Sequence, residues 1–141
     1  MYEKYPIVLA TAAFIMDKQG KILIVKKSHR EQIDPGLWVV PGGKVLPDEP
    51  ILTSLKREVK EEVALDIDSY HWIGEDVFIS HERYFHAQHF LCSVHITTPI
   101  TLEEKLEEYA WVTPSTIKEY RFAENLKKRI LEIYATTTHG S

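Results

Sequence analysis

The stretch PGGKVLPDEPILTSLKREVKEEVAL, residues 41–65, constrains the fold more than any other part of this 141-residue chain. Pro41-Gly42-Gly43 stops a short strand predicted over Trp38 to Val40. A segment of helical period follows over Ile51 to Ala64, with Leu52, Leu55, Val59 and Val63 on one stripe. Pro50 suits the first turn, and Asp48 or Glu49 is placed to cap it. Strand, glycine turn and amphipathic helix in that order point to a helix laid over a sheet.

The helix carries an uneven load of charge. At 100° per residue, Glu58, Glu61 and Glu62 fall within an arc of about 100° bordering the apolar stripe. Glu58 and Glu62 form an i, i+4 like-charge pair, which costs a few tenths of a kcal/mol even on an exposed helix. Lys56 and Lys60 point elsewhere, and only Arg57 reaches Glu61 at i+4. A multivalent cation would relieve such a cluster, and hard oxygen donors of this kind suit Mg²⁺ or Mn²⁺. In isolation the pattern reads as a solvated acidic face. The glycine turn just before it changes the reading, because bare backbone lets a ligand approach and carbonyls join the carboxylates around a metal. Such a site would hold a polyphosphate.

The remaining punctuation is regular. Ile7 to Met16 reads as a strand, Asp17 to Gly20 as a turn, and Lys21 to Lys26 as its hairpin partner. A loop follows over Ser28 to Gly36. Further strands are predicted over Tyr70 to Ser80, Phe85 to Ile96 and Tyr109 to Val112, and a closing helix over Ala123 to Tyr134. The mixed order is α+β, with one domain over residues 1–135 and a flexible tail over 136–141. A net charge of −4 offers no basic excess for a nucleic-acid duplex or an anionic membrane. The apolar run near the start is too short to span a bilayer, and its β-branched content suits a buried strand, so a cytoplasmic protein is expected. The lone Cys92 excludes an intramolecular disulfide and reads as a buried small hydrophobe.

Three tryptophans, Trp38, Trp72 and Trp111, read as core, while Tyr84 and Phe85 at a strand start are candidates for stacking on a base. His81, His86 and His89 would not share one side of a strand, which argues against zinc and for solvated or substrate-facing residues.

The residues of the acidic helix resemble the motif of the Nudix hydrolases, GX5EX7REUXEEXGU with U a bulky aliphatic residue. Gly43, Glu49, Arg57, Glu58, Val59, Glu61, Glu62 and Leu65 match at the motif's spacing. Ala64 stands where the motif has glycine, at a helix end where positive φ is costly for alanine, so an altered helix end is expected. The flanking GLWVVPGGK and YAWVTP are also similar to the family.

The resemblance implies an α/β/α sandwich with a mixed central sheet, and hydrolysis of a nucleoside diphosphate linked to another moiety. It implies Mg²⁺, with Mn²⁺ as substitute, bound by the Gly43 carbonyl and by Glu58, Glu61 and Glu62, with Glu104 from a downstream loop completing the site. Glu58 is the candidate base, Glu61 a catalytic carboxylate, and Arg57 holds the glutamates or faces the phosphates. Glu49 and Gly42 are structural members of the motif. By position Lys27 would contact phosphate, and Asn125 would contact a purine. The intact REVKEE and the PGG turn favour a nucleoside triphosphate, cleaved to a monophosphate and pyrophosphate, over a nucleotide sugar or a non-catalytic nucleotide-sensing module. A homodimer is a family-level expectation.

Overall fold

The computed structural model describes residues 5–95, 99–123 and 125–139. Its elements are β1 (Ile7–Ile15), β2 (Ile22–Lys27), β3 (Trp38–Val39), β4 (Gly42–Lys44), α1 (Ile51–Val63), β5 (Asp66–Ser80), β6 (Arg83–His95), β7 (Leu106–Val112) and α2 (Leu126–His139). Ile96 and Glu124, within segments predicted as a strand and a helix, lie outside the described residues, as do 140–141 of the expected tail. The last helix continues to His139, past the Tyr134 end read from the sequence.

A mixed four-stranded sheet runs in the order β4-β1-β6-β5, with β1 and β6 parallel and the outer pairs antiparallel. A second, antiparallel sheet has the order β3-β2-β7. Helix α1 covers one apolar layer, in which Ala13, Ile15, Leu23, Val25 and Phe90 meet Leu55, Val59 and Val63. The other layer gathers Phe14, Ile22, Ile24 and Val112 beneath Ile130 and Ile133 of α2. This is the expected α/β/α sandwich. Ala13, Phe14 and Ile15 are all fully buried, because β1 has cover on both faces; that explains an uninterrupted apolar run in place of alternation.

Four expectations need correction. β1 and β2 start as a hairpin at a Met16–Ile22 bridge but then part into different sheets, so they are not partners along their length. β5 begins at Asp66, four residues before the predicted start, because bulges at Ile67/Ser69 and Trp72/Gly74 break the alternation that marks a strand. Pro50 itself is the N-cap of α1, with no side-chain cap bond from Asp48 or Glu49. Leu52 is exposed, and Ile51 packs on the core in its place.

The helix end is not altered by Ala64. The residue takes the left-handed conformation (φ 62°, ψ 31°) and donates its N–H to the Lys60 carbonyl at 3.0 Å, as a glycine cap would.

Candidate active site

The site grows from the junction of β4 and α1. Gly42 has φ of 154° and pairs so closely with β1 that an added Cβ would meet the Thr11 carbonyl oxygen, which restricts this position to glycine. A Cβ on Gly43 would stand 2.8 Å from the Glu58 carboxyl carbon. The turn therefore brings bare backbone directly against the first glutamate of the cluster.

Glu58 and Glu62 face inward and are 7% and 3% exposed, whereas the Glu61 side chain is 52% exposed. The Gly42 N–H donates to Glu62 Oε1 at 3.3 Å. Arg57 donates through Nε to Glu49 at 2.7 Å, and through its terminal nitrogens to Glu49 at 2.9 Å, Glu58 at 3.0 Å and Glu61 at 3.1 Å. Glu49 also accepts the Leu46 N–H at 3.2 Å, so it ties the loop after β4 to the helix. The Arg57 hydrogen bonds hold the Glu49 carboxyl down at about 2, and the same contacts raise the Arg57 guanidinium. The guanidinium thus reaches beyond Glu61 to Glu58 and Glu49, further than helical spacing alone predicts.

Burial, with the neighbouring Glu58 carboxyl, pushes Glu62 up to about 9, against the pull of Lys105 and the Gly42 N–H. Lys105, in the loop before β7, places Nζ 3.6 Å from Glu62 Oε2 and 3.7 Å from Glu103 Oε1. Burial works against its ammonium, but Glu62 and Glu103 outweigh it and raise the pKa. The sequence reading missed this residue; the one signal for it is a lone lysine inside LEEKLEE.

Other expected site residues fall at varying distance from this cluster. Lys27 at the end of β2 is half-buried, its pKa lowered by burial and lifted in part by Asp34, Glu31 and Glu62. Glu104 is exposed, and its neighbour Glu103 ties the loop to α1 through its N–H to the Glu62 carbonyl at 3.0 Å. Asn125 precedes α2, accepts the Arg129 N–H at 3.1 Å on its carbonyl, and donates Nδ2 to both Asp76 carboxylate oxygens at 3.3 and 3.1 Å. A carboxylate only accepts, so the amide NH₂ must face Asp76 and Oδ1 is the atom turned away. Phe85 is buried with its ring stacked on Phe78 at 5.2 Å, and Tyr84 lies 5.6 Å from the Tyr5 ring. Trp72, read as core, is 59% exposed and donates its indole N–H to Gln88. His89, read as solvated or substrate-facing, is 2% exposed against Phe14, because its side of β6 packs beneath α2. Cys92 is buried, its thiol pushed up to about 12.

The arrangement offers an oxygen-only donor set beside bare backbone. Two buried carboxylates share too little positive charge, and Thr11 Oγ1, opposite Gly43 in the sheet, is buried without a hydrogen-bond partner among the described residues. That chemistry fits a hard divalent cation. Among the described residues no three His, Cys, Asp or Glu side chains already converge at metal distance, and Glu61 is bound to Arg57.

A glycine turn thus abuts a helix of buried glutamates on a two-sheet α+β sandwich. The NUDIX domain description matches residues 6–133, and the chain belongs to the Nudix family. As a Nudix hydrolase it acts on a nucleoside diphosphate moiety linked to another group. It is 28% identical to a protein of Escherichia fergusonii named nucleoside triphosphatase NudI, over 75% of this chain and 82% of that one. Its fold is similar to that of a MutT protein from Methanosarcina mazei Go1 (TM-score 0.79, 24% identity, 96% and 97% of the two chains). It is also similar to a NUDIX hydrolase from Nitrosomonas europaea (TM-score 0.78, 21% identity, 94% and 90%). No described helix is long and apolar enough to cross a membrane.

Proposed function

We propose that this Nudix hydrolase cleaves a nucleoside triphosphate between its α and β phosphates, giving a nucleoside monophosphate and pyrophosphate. The observation that carries the reading is the buried Glu58–Glu62 pair set against the Gly43 backbone, a polyanion site only if a cation mediates. The name of the Escherichia fergusonii relative supports the triphosphate over a nucleotide sugar.

Gly43, Glu58, Glu61 and Glu62 would hold Mg²⁺, or Mn²⁺ in its place. When bound, the ion polarises the phosphoryl group and lowers the pKa of the attacking water. Glu58 accepts the proton of that water, and its contact with Arg57 fixes the carboxylate that does so. Arg57 keeps Glu49, Glu58 and Glu61 in one frame. Lys27, at the end of β2, receives phosphate oxygens. Asn125 Oδ1, turned away from Asp76, accepts a base N–H, with Phe85, on the same face of the sheet as Asp76, as the apolar floor. The protein acts in the cytoplasm, on a small molecule and without a duplex or membrane partner.

The test is phosphate release with added pyrophosphatase, over nucleoside triphosphates, nucleotide sugars and dinucleotides, in Mg²⁺ and in Mn²⁺. Turnover of triphosphates that vanishes with Glu58→Gln is the expected result. Release only after a phosphatase is added for monophosphate products would move the substrate to nucleotide sugars or dinucleotides. Silence in both formats would leave a nucleotide-sensing module.

A further inference from the structure

The loop before β7 does not merely pass the carboxylates; it is fastened to them. Thr101 donates its N–H to the Val63 carbonyl at 3.2 Å and Glu103 to the Glu62 carbonyl at 3.0 Å, so the loop rides on the last turn of α1. On the other side Ser28 donates its N–H to the Lys105 carbonyl at 2.9 Å, and Leu106 donates to Glu103 at 2.9 Å. The Lys105 backbone is thereby fixed from two directions, and its side chain enters the site from a defined point. The ammonium stands between a carboxylate that is 3% exposed, Glu62, and one that is 34% exposed, Glu103. At 3.6 and 3.7 Å both are ion pairs longer than good hydrogen bonds, so neither locks the lysine in place.

We propose that Lys105 is the resident cation of the active site, held against Glu62 until a divalent ion that needs Glu62 displaces it toward Glu103. Burial resists ionising Glu62, and before metal arrives the Lys105 ammonium 3.6 Å away is a cation that favours its carboxylate form. Once a dication occupies the cluster, repulsion between it and the ammonium reverses the preference, and Glu103 lies within reach as the second partner. Lys105 is thus a positioning residue that sets how tightly metal binds. The inference rests on the reading that these glutamates take a divalent ion.

The decisive experiment titrates the native protein with Mg²⁺ alone, by calorimetry and by NMR of lysine labelled with ¹³C at Cε. Absence of one signal in Lys105→Arg assigns the Lys105 resonance. That resonance should move with the same midpoint as the heat of binding, while Lys105→Arg keeps native affinity and Lys105→Met binds Mg²⁺ about tenfold tighter. Mg²⁺ binding with a stationary Lys105 signal would overturn the proposal even if Lys105→Met fails to fold, since that readout uses the native chain. Lys105→Met affinity within about twofold of native would overturn it equally. No binding of Mg²⁺ to native protein or to Lys105→Met would instead overturn the metal reading, and this inference with it.

Discussion

Each face of the mixed sheet buries a cluster of ionisable side chains, and only one of the two is left with charge to give. Beneath α2, Arg129 donates to His89 Nδ1 at 3.0 Å, to the Ile73 carbonyl at 3.3 Å and to the Glu75 carbonyl at 3.5 Å. These acceptors are neutral, the Arg129 charge is met by Glu132 at 3.5 Å, and the His89 ring lies 5.0 Å from Phe14 in an apolar setting. The arginine also lies where a side chain on Gly74 would go, so it reads the β5 bulge as a structural key. On the α1 face, Arg57 and Lys105 together meet five carboxylates, Glu49, Glu58, Glu61, Glu62 and Glu103. Burial alone does not mark a reactive site. Surplus charge that the fold leaves unmatched does.

The largest effect expected from breaking this contrast is on turnover. Glu58→Gln should lower kcat about a hundredfold or more with circular dichroism unchanged. No comparable loss should follow Arg129→Lys once the folded fraction is accounted for; an equal loss there would mean that the α2 face is part of the chemistry. Arg57→Lys comes next, because a single ammonium cannot hold Glu49 through two nitrogens and still touch Glu58 and Glu61. A fall of about 10–100-fold in kcat is expected, as for groups that orient metal-binding side chains. Steady-state kinetics at saturating Mg²⁺ checks it, and unchanged kcat would show that the glutamates orient themselves.

The two faces should also give opposite pH limbs of stability, seen by urea unfolding in the absence of metal. Glu62 moves from 4.5 up to about 9 on folding, so the folded protein keeps a proton that the unfolded chain has lost. Its contribution is intact below the lower value and is lost as pH rises toward the higher. His89 moves from 6.5 down to about 4, so the unfolded chain takes up the proton first and stability is lost as pH falls through that window. Each limb is on the order of a few kcal/mol, the Glu62 limb the larger, and the two oppose each other between the ordinary glutamate and histidine ranges. Glu62→Gln should flatten the alkaline limb only, and His89→Gln, which keeps an acceptor for Arg129, the acid limb only. One variant flattening both limbs would mean that the faces are not independent.

The α1 face was legible in the sequence because its parts are local. Gly42, Gly43, Glu49, Arg57, Glu58, Glu61 and Glu62 lie within one turn and one helix, where spacing converts directly to geometry. Lys105 was not legible, since its approach depends on a loop laid across α1 by backbone hydrogen bonds from residues 101 and 103. His89 was missed for a related reason. Strand alternation places His86 and His89 on opposite sides of β6 but does not say which side α2 will cover. The early start of β5 was hidden by its bulges, and the parting of β1 from β2 by a turn that does form a hairpin for one bridge.

The smallest predicted effect concerns the one motif position where the chain departs from its family. Ala64 holds a left-handed cap at φ 62°, in which a Cβ costs about 1–2 kcal/mol. Glycine removes that strain but has more freedom to lose on folding, roughly 0.5–1 kcal/mol. Ala64→Gly should therefore stabilise the protein by about 0.5–1 kcal/mol, raising Tm by about 2–3 °C in a domain of this size. Turnover should not change, because the cap already has the conformation glycine would adopt: its N–H reaches the Lys60 carbonyl, and the next residue, Leu65, is 2% exposed in the α1 core. A change in kcat would show that strain at the cap is transmitted two residues back to Glu62. Unchanged kcat with higher Tm would instead show that the acidic helix keeps its geometry through packing, with the glycine of the motif a matter of stability.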